Sequence, residues 1–161
     1  MEKVSFDLKL PELAKKIKAL KKKPGMILVQ LPEGLKEQTK EISGFLEAEL
    51  GTTSSAERSE RSAQMLTGWA VIANAEPCFG ACDLAIKEAE MLKASLIVHF
   101  GHSDFRVKSK KSVIYWPVEA GFDKARVAEK IAEICKERNW FRTGLGTTIQ
   151  YLPKVKKLEK P

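Results

Sequence analysis

The chain has little cysteine, little histidine and no long hydrophobic run. No apolar stretch approaches the roughly 20 residues that a membrane-spanning helix needs. The N-terminus, Met1-Glu2-Lys3-Val4, carries no apolar segment of the secretory kind. Both absences point to a cytoplasmic protein and away from a membrane. Three cysteines, Cys78, Cys82 and Cys135, are an odd number in a chain with no sign of secretion, which argues against a disulfide framework. A metal or redox role for one of them stays open. Aromatic residues are only 7% of the chain, and none is interleaved with its lysine runs as in single-strand binders. The glycine turns include no G-x-G-x-x-G and no phosphate-loop lysine, so no nucleotide cradle is legible.

What is present describes an ordinary globular domain. The 161 residues are enough to bury a core, with 43% hydrophobic and 30% charged residues. The net charge is +7, with lysines crowded at both ends: Lys15, Lys16, Lys18, Lys21, Lys22 and Lys23, then Lys154, Lys156, Lys157 and Lys160. A solvated face explains such runs, with an acidic partner, nucleic acid or ribosome-associated material as the rival reading, and without interleaved aromatics the nucleic-acid signal is weak.

Leu13, Ile17 and Leu20 recur at helical spacing behind Pro11, which predicts a helix over about 11–22. Met26 to Leu31 is a short apolar run typical of a strand buried on both faces. A helix follows along Leu35, Ile42, Phe45, Leu46 and Leu50, ending at Gly51. Residues 52–68 are polar and read as an inserted loop. Trp69 to Ala73 predicts a second strand and residues 83–93 a helix, with Asp83 placed to favour its N-terminal end. Ser95 to Phe100 and Val113 to Val118 are the third and fourth strands. Asp123 caps a helix with an apolar face of Val127, Ala128, Ile131, Ile134 and Cys135, where Cys135 reads as core. Leu145 to Tyr151 begins a further strand, and Pro153 opens a last helix.

Strand, turn and helix in alternation are the signature of a parallel sheet covered on both faces. The expected fold is therefore α/β: three layers, with a parallel sheet of about four strands flanked by helices. Ligands of such sheets collect at the carboxyl ends of the strands. The turns Pro32-Glu33-Gly34, Gly80-Ala81-Cys82-Asp83 and Gly101-His102-Ser103 should open onto that edge.

Each candidate there has a functional and a structural reading. Cys82, expected at or just before a helix start, suits a metal-binding thiolate or a small packing residue. Cys78 and Cys82 form C-x-x-x-C, but the third position of an iron–sulfur C-x-x-x-C-x-x-C run is Ala85. His99 and His102 could complete a zinc set. His99 reads equally as a satisfied structural histidine, and alternation turns it away from the side of Phe100. His102, in the turn after Gly101, is better placed to meet a ligand. Glu33 could bind an amine or merely favour a helix N-terminus.

At these residues the chain resembles the diphthamide-synthesis family, 2-(3-amino-3-carboxypropyl)histidine synthase, in its archaeal form. The matching pieces are Gln30-Leu31-Pro32-Glu33-Gly34-Leu35, Gly80-Ala81-Cys82-Asp83, Val98-His99-Phe100-Gly101-His102-Ser103, Val113 to Glu119 and Gly144 to Gln150. The resemblance implies a radical enzyme that uses S-adenosylmethionine and a four-iron four-sulfur cluster. It transfers a 3-amino-3-carboxypropyl group to a histidine of elongation factor 2. Family members have three similar α/β domains, each giving one cysteine to the cluster, and act as dimers. The resemblance makes Cys82 the first domain's cluster ligand; the convergence of the turns alone places Glu33, Gly34 and His102 at the cofactor, and Gln150, at the end of the last matching piece, is counted with them.

On this reading residues 1–142 are one α/β domain, with an insertion at 52–68, and residues 143–161 begin a second. Two of the three cluster cysteines have no counterpart. The chain is then expected to be an incomplete or split form, inactive alone, that needs a homodimer or a second polypeptide to supply the missing domains. The rival readings are a non-catalytic binding module and a small metal-binding protein using Cys78, Cys82 and His102.

Overall fold

A computed structural model describes residues 6–51 and 68–158. The elements in chain order begin β1 (Phe6–Asp7), α1 (Leu10–Lys18), β2 (Met26–Gln30), a 3-10 helix (Glu33–Gln38), α2 (Thr39–Leu50) and β3 (Ala70–Ala73). They continue α3 (Ile86–Met91), β4 (Leu96–Phe100), β5 (Ser112–Trp116), β6 (Glu119–Ala120), α4 (Lys124–Glu137) and α5 (Leu152–Val155). Two compact units divide them: Lys9–Trp116, and Met1–Leu8 with Pro117–Pro161.

The larger unit is built on a four-stranded sheet in the order β3-β2-β4-β5, parallel throughout. This is the expected α/β architecture, with all four predicted strands present. Burial on both faces explains why β2 and β4 are almost uninterruptedly apolar: Ile27, Leu28 and Val29, and Leu96, Ile97 and Val98, are all at most 1% exposed. Side chains alternate across a strand, so Leu28 and Ile97 share one face. They pack there with Ala85, Ala89 and Ala94 around α3, joined by Met26, Ile72 and Val113. Small alanines let the short α3 lie close to the sheet.

α1 buries Leu10, Leu13, Ala14 and Ile17, one helical stripe, and packs against α2, which in turn meets β3. Lys18 reaches Glu49 of α2 at 3.0 Å. α1 ends earlier than expected: Ala19 N–H makes the last ordinary helical bond, to the Lys15 carbonyl, and the Leu20 amide then turns back to the Ile17 carbonyl in a tighter turn. The helix expected from Leu35 divides into the 3-10 turn and α2, and Gly51 closes α2 at φ 71°, a left-handed cap suited to glycine.

The predicted insertion falls almost wholly outside the described residues. Its two described flanks meet: a Cβ on Gly68 would lie 2.1 Å from the Gly51 carbonyl oxygen. A backbone neighbour cannot swing aside. Gly68→Ala should therefore lower stability by about 1–3 kcal/mol, read as a shifted urea midpoint at unchanged slope.

In the smaller unit, β1 and β6 pair antiparallel, Phe6 opposite Ala120 and Asp7 opposite Glu119. Strands of two residues are too short to show periodicity, and sequence reading missed them. Asp123 caps α4 as expected, accepting the Arg126 amide at 3.1 Å. No residue of α4 is fully buried. Cys135 is only half-buried, with its sulfur 3.2 Å from Thr143 Oγ1, which corrects its assignment to the core. The strand expected at Leu145 to Tyr151 does not form. Gly144 and Gly146 weaken an extended ladder, the Gln150 carbonyl accepts from Ala120 N–H, and the chain turns into α5. α5 carries Pro153 in its first turn, as predicted.

Candidate functional site

Because the four strands are parallel, the turns after β2, β3 and β4 leave from one edge of the sheet. The last residues before that edge are polar where the pattern would continue apolar. Gln30 is in register with His99, and His99 with Tyr115, so the three form a row across β2, β4 and β5. They end the face that Leu28, Ile97 and Val113 begin. Gln30 is 2% exposed and His99 is fully buried. Groups buried this deeply must be hydrogen-bonded, and they are.

The network has a fixed polarity. Ala85 N–H donates to Gln30 Oε1 at 3.1 Å, which identifies that atom as the amide oxygen. Gln30 Nε2 donates to the Asp83 carbonyl at 2.7 Å. His99 Nδ1, 2.9 Å from the same Oε1, must therefore carry a proton and donate. His99 Nε2 is then left with its lone pair and accepts from His102 Nδ1–H at 3.0 Å. Gly101 makes the return of His102 possible: its φ of 78° turns the chain directly after β4, while its amide donates to the Trp116 carbonyl.

These groups fasten the segment that carries Cys82. Lys36 Nζ donates to the carbonyls of Asn74, Ala75 and Glu76, at 3.3, 2.7 and 2.7 Å, and holds the start of the loop. Gln30 holds its end at Asp83 and Ala85. The Tyr115 hydroxyl reaches the Ala81 carbonyl at 3.4 Å. Asp83 closes the turn on itself, its carboxylate accepting from Phe79 N–H at 3.1 Å and its amide donating to the Gly80 carbonyl. Cys82 is left exposed at the tip of a braced turn.

Two expectations are corrected here. α3 begins at Ile86, so Cys82 lies in a turn and not at a helix start. Asp83 likewise serves Phe79 N–H and not the end of α3. The reason is the Gln30 amide, which occupies Asp83 and Ala85 and delays the helix.

Cys78 faces inward, 4% exposed. Burial first, then the Asp83 carboxylate, push its thiol pKa up, so it is protonated near neutral pH. Its sulfur joins the ring nitrogens of His99 and His102 in one cluster, with all three ligand atoms within 4.8 Å of one another. Cys82 is not part of that cluster. Burial also raises the Tyr115 pKa, with the Asp104 carboxylate acting in the same sense.

Glu33 is exposed, 3.9 Å from Lys36. A Cβ on Gly34 would meet nothing within 4 Å, so nothing in the fold itself requires glycine there. Gln150 belongs to the smaller unit. Sequence reasoning missed the bracing by Gln30, Lys36 and Tyr115. The signal for the first was available, since a polar residue ending a doubly buried strand must find a partner.

His99 makes stability depend on pH. Burial, then the neighbouring His102, lower its pKa to about 4, with Asp83 opposing. The folded state thus resists protonation that the unfolded chain accepts below about pH 6.5. The stabilisation is full above that value and is lost as pH falls towards about 4, amounting to about 3 kcal/mol. Urea midpoints between pH 7 and pH 4, taken with chelator present, should show this loss, and His99→Gln should flatten it.

Among the described residues, no helix is long and apolar enough to cross a membrane. Comparison with known proteins agrees with the fold. The crystal structure of Dph2 from Pyrococcus horikoshii with a 4Fe-4S cluster superposes with a TM-score of 0.66 at 24% identity. The match covers 98% of this chain and 41% of that one. A second crystal structure of Dph2 from the same organism gives 0.65 with the same coverage. The 2-(3-amino-3-carboxypropyl)histidine synthase of Pyrococcus horikoshii is 27% identical over 150 residues. Those residues are 92% of this chain, which spans 37% of the length of that relative. The family model described as putative diphthamide synthesis protein matches residues 31–161, and the chain belongs to that family.

Proposed function

We propose that this chain acts in diphthamide synthesis, in transfer of a 3-amino-3-carboxypropyl group from S-adenosylmethionine to a histidine of elongation factor 2. In this reading it supplies Cys82 as one ligand of a four-iron four-sulfur cluster. The observation that carries the reading is the exposed Cys82 thiol on a turn braced by Gln30 of β2, Tyr115 of β5 and Lys36 of the 3-10 helix. A cluster ligand has to be a thiolate held still and reachable by a large inorganic group, and Cys82 fits one corner of such a group. The buried Cys78 does not, since its sulfur faces two imidazoles. The other corners are filled by residues outside this chain, in a homodimer or on a second polypeptide.

The cluster, when bound, supplies the electron that cleaves a carbon–sulfur bond of S-adenosylmethionine. The chain's own residues bind and orient. Glu33 offers a carboxylate to the amino group of the cofactor, in exchange for its long contact with Lys36. The open space over Gly34 lets a ligand lie against the backbone. His102, half-buried at the edge, presents its outer ring nitrogen to the site. Gln150 is assigned to the cofactor from its family motif. Residues 1–142 form the first family domain and residues 143–161 open the next. The chain's setting is archaeal and cytoplasmic.

The test is transfer of the labelled group from S-adenosylmethionine to elongation factor 2. The chain is combined with a polypeptide carrying the part of the Pyrococcus relative that it does not cover. Label on the target histidine that depends on Cys82 supports the reading; label that survives Cys82→Ser overturns it.

A further inference from the structure

We propose that Cys78, His99 and His102 form a site for a zinc-type divalent metal ion, separate from Cys82. The argument starts from the donor set. One sulfur and two imidazole nitrogens lie within 4.8 Å of one another at the carboxyl edge of the sheet. A thiolate with two histidines is the donor chemistry of zinc and of cobalt in its place, and three protein ligands leave a fourth position for water.

The histidine geometry goes further than proximity. His99 Nε2 and His102 Nδ1 are 3.0 Å apart. Two nitrogens on one tetrahedral zinc, each ~2.0–2.1 Å from the metal, stand ~3.3 Å apart. The ion would take the place of the proton now shared between them. His99 Nε2 already has its lone pair aimed there, because Nδ1–H is committed to Gln30 Oε1 at 2.9 Å. A ligating histidine that donates its other N–H to a carbonyl is the usual arrangement behind zinc, since it fixes both ring orientation and tautomer. Gln30 is itself held by Ala85 and Asp83, so this support is rigid.

The sulfur is the ligand that must move. Zinc holds sulfur and nitrogen ~3.5 Å apart, and with the three ligand atoms within 4.8 Å of one another Cys78 closes by at most about 1.3 Å. It lies in the loop between β3 and α3 and not on a strand, which allows that shift. Binding is balanced simply. The Cys78 thiol gives its proton to solvent as the metal–sulfur bond forms, and the His102 proton moves from Nδ1 to Nε2 with no net change. An ion enters from the half-buried His102 side.

The proposal does not rest on the cluster reading, and the experiment keeps them apart. Metal-free chain is titrated with cobalt, which reports a tetrahedral thiolate site by its ligand-field bands and a sulfur-to-cobalt charge-transfer band. The wild-type chain and Cys82→Ser should bind one equivalent with the same spectrum, and zinc should displace the cobalt. Cys78→Ser should lose the charge-transfer band, and His102→Ala should lose saturable binding. His102 is only half-buried, so His102→Ala tests the site without emptying the core. Zinc should raise the melting temperature of the wild-type chain and not of His102→Ala. No cobalt–thiolate band in the wild-type chain, or a band removed by Cys82→Ser and kept by Cys78→Ser, overturns the proposal.

Discussion

Gln30→Ala should cost about 4 kcal/mol of stability, a large share of what holds a domain of this size together. The side chain is 2% exposed and serves three partners at once. Its removal strands the Ala85 amide, the Asp83 carbonyl and the His99 Nδ1–H. A buried polar group left unpaired costs about 1–3 kcal/mol, and the lost side chain leaves a cavity besides. The losses do not simply add, because water admitted through the gap recovers part of them.

The Cys82 turn should also loosen, read as faster amide exchange at Ala85, while the amides of β2 away from Gln30 stay protected. Gln30→Glu gives the sharper comparison. A carboxylate still accepts from Ala85 and His99 but cannot donate to Asp83 O, and its charge favours protonated His99. The variant should keep more stability than Gln30→Ala at pH 7 and lose less of it on acidification. A cost below about 1 kcal/mol for Gln30→Ala would mean that the network does not brace the turn.

On the proposed function, Cys82→Ser should abolish aminocarboxypropyl transfer by the chain combined with the part of the Pyrococcus relative that it does not cover, while leaving the fold alone. The side chain is exposed, so exchanging sulfur for oxygen removes no buried contact and should change stability by less than about 0.5 kcal/mol. A serine hydroxyl is a poor substitute for thiolate at iron, and a cluster short of one ligand becomes labile. The pairing of lost function with an unchanged urea midpoint separates a ligand from a packing residue. Cys135→Ser, in the smaller unit and bonded only weakly to Thr143, should leave transfer unchanged.

Much of the fold was readable because it follows from burial. Continuous apolar runs such as Ile27-Leu28-Val29 cannot face water on either side, and their alternation with helical stripes leaves a parallel sheet as the solution. The turns that carry Glu33, Cys82 and His102 fall at one edge for the same topological reason. What stayed hidden depends on particular partners. The start of α3 is set by the Gln30 amide, which lies 55 residues from Ala85, and no local signal marks that bond. The two-residue pairing of β1 with β6 has no period to detect. Cys78 looked like half of a C-x-x-x-C pair, but the turn closed by Asp83 sends its sulfur towards His99 and leaves Cys82 outside. The expected strand near Leu145 failed because extended residues need a ladder, and this segment turns into α5 instead.

The most direct test of Cys82 as a cluster ligand is iron content after anaerobic reconstitution. It compares wild type, Cys82→Ser and Cys78→Ser, each combined with the part of the Pyrococcus relative that this chain lacks. The account predicts a four-iron cluster with wild type and with Cys78→Ser, and its loss with Cys82→Ser. Full iron content with Cys82→Ser, or a cluster lost only with Cys78→Ser, would contradict it.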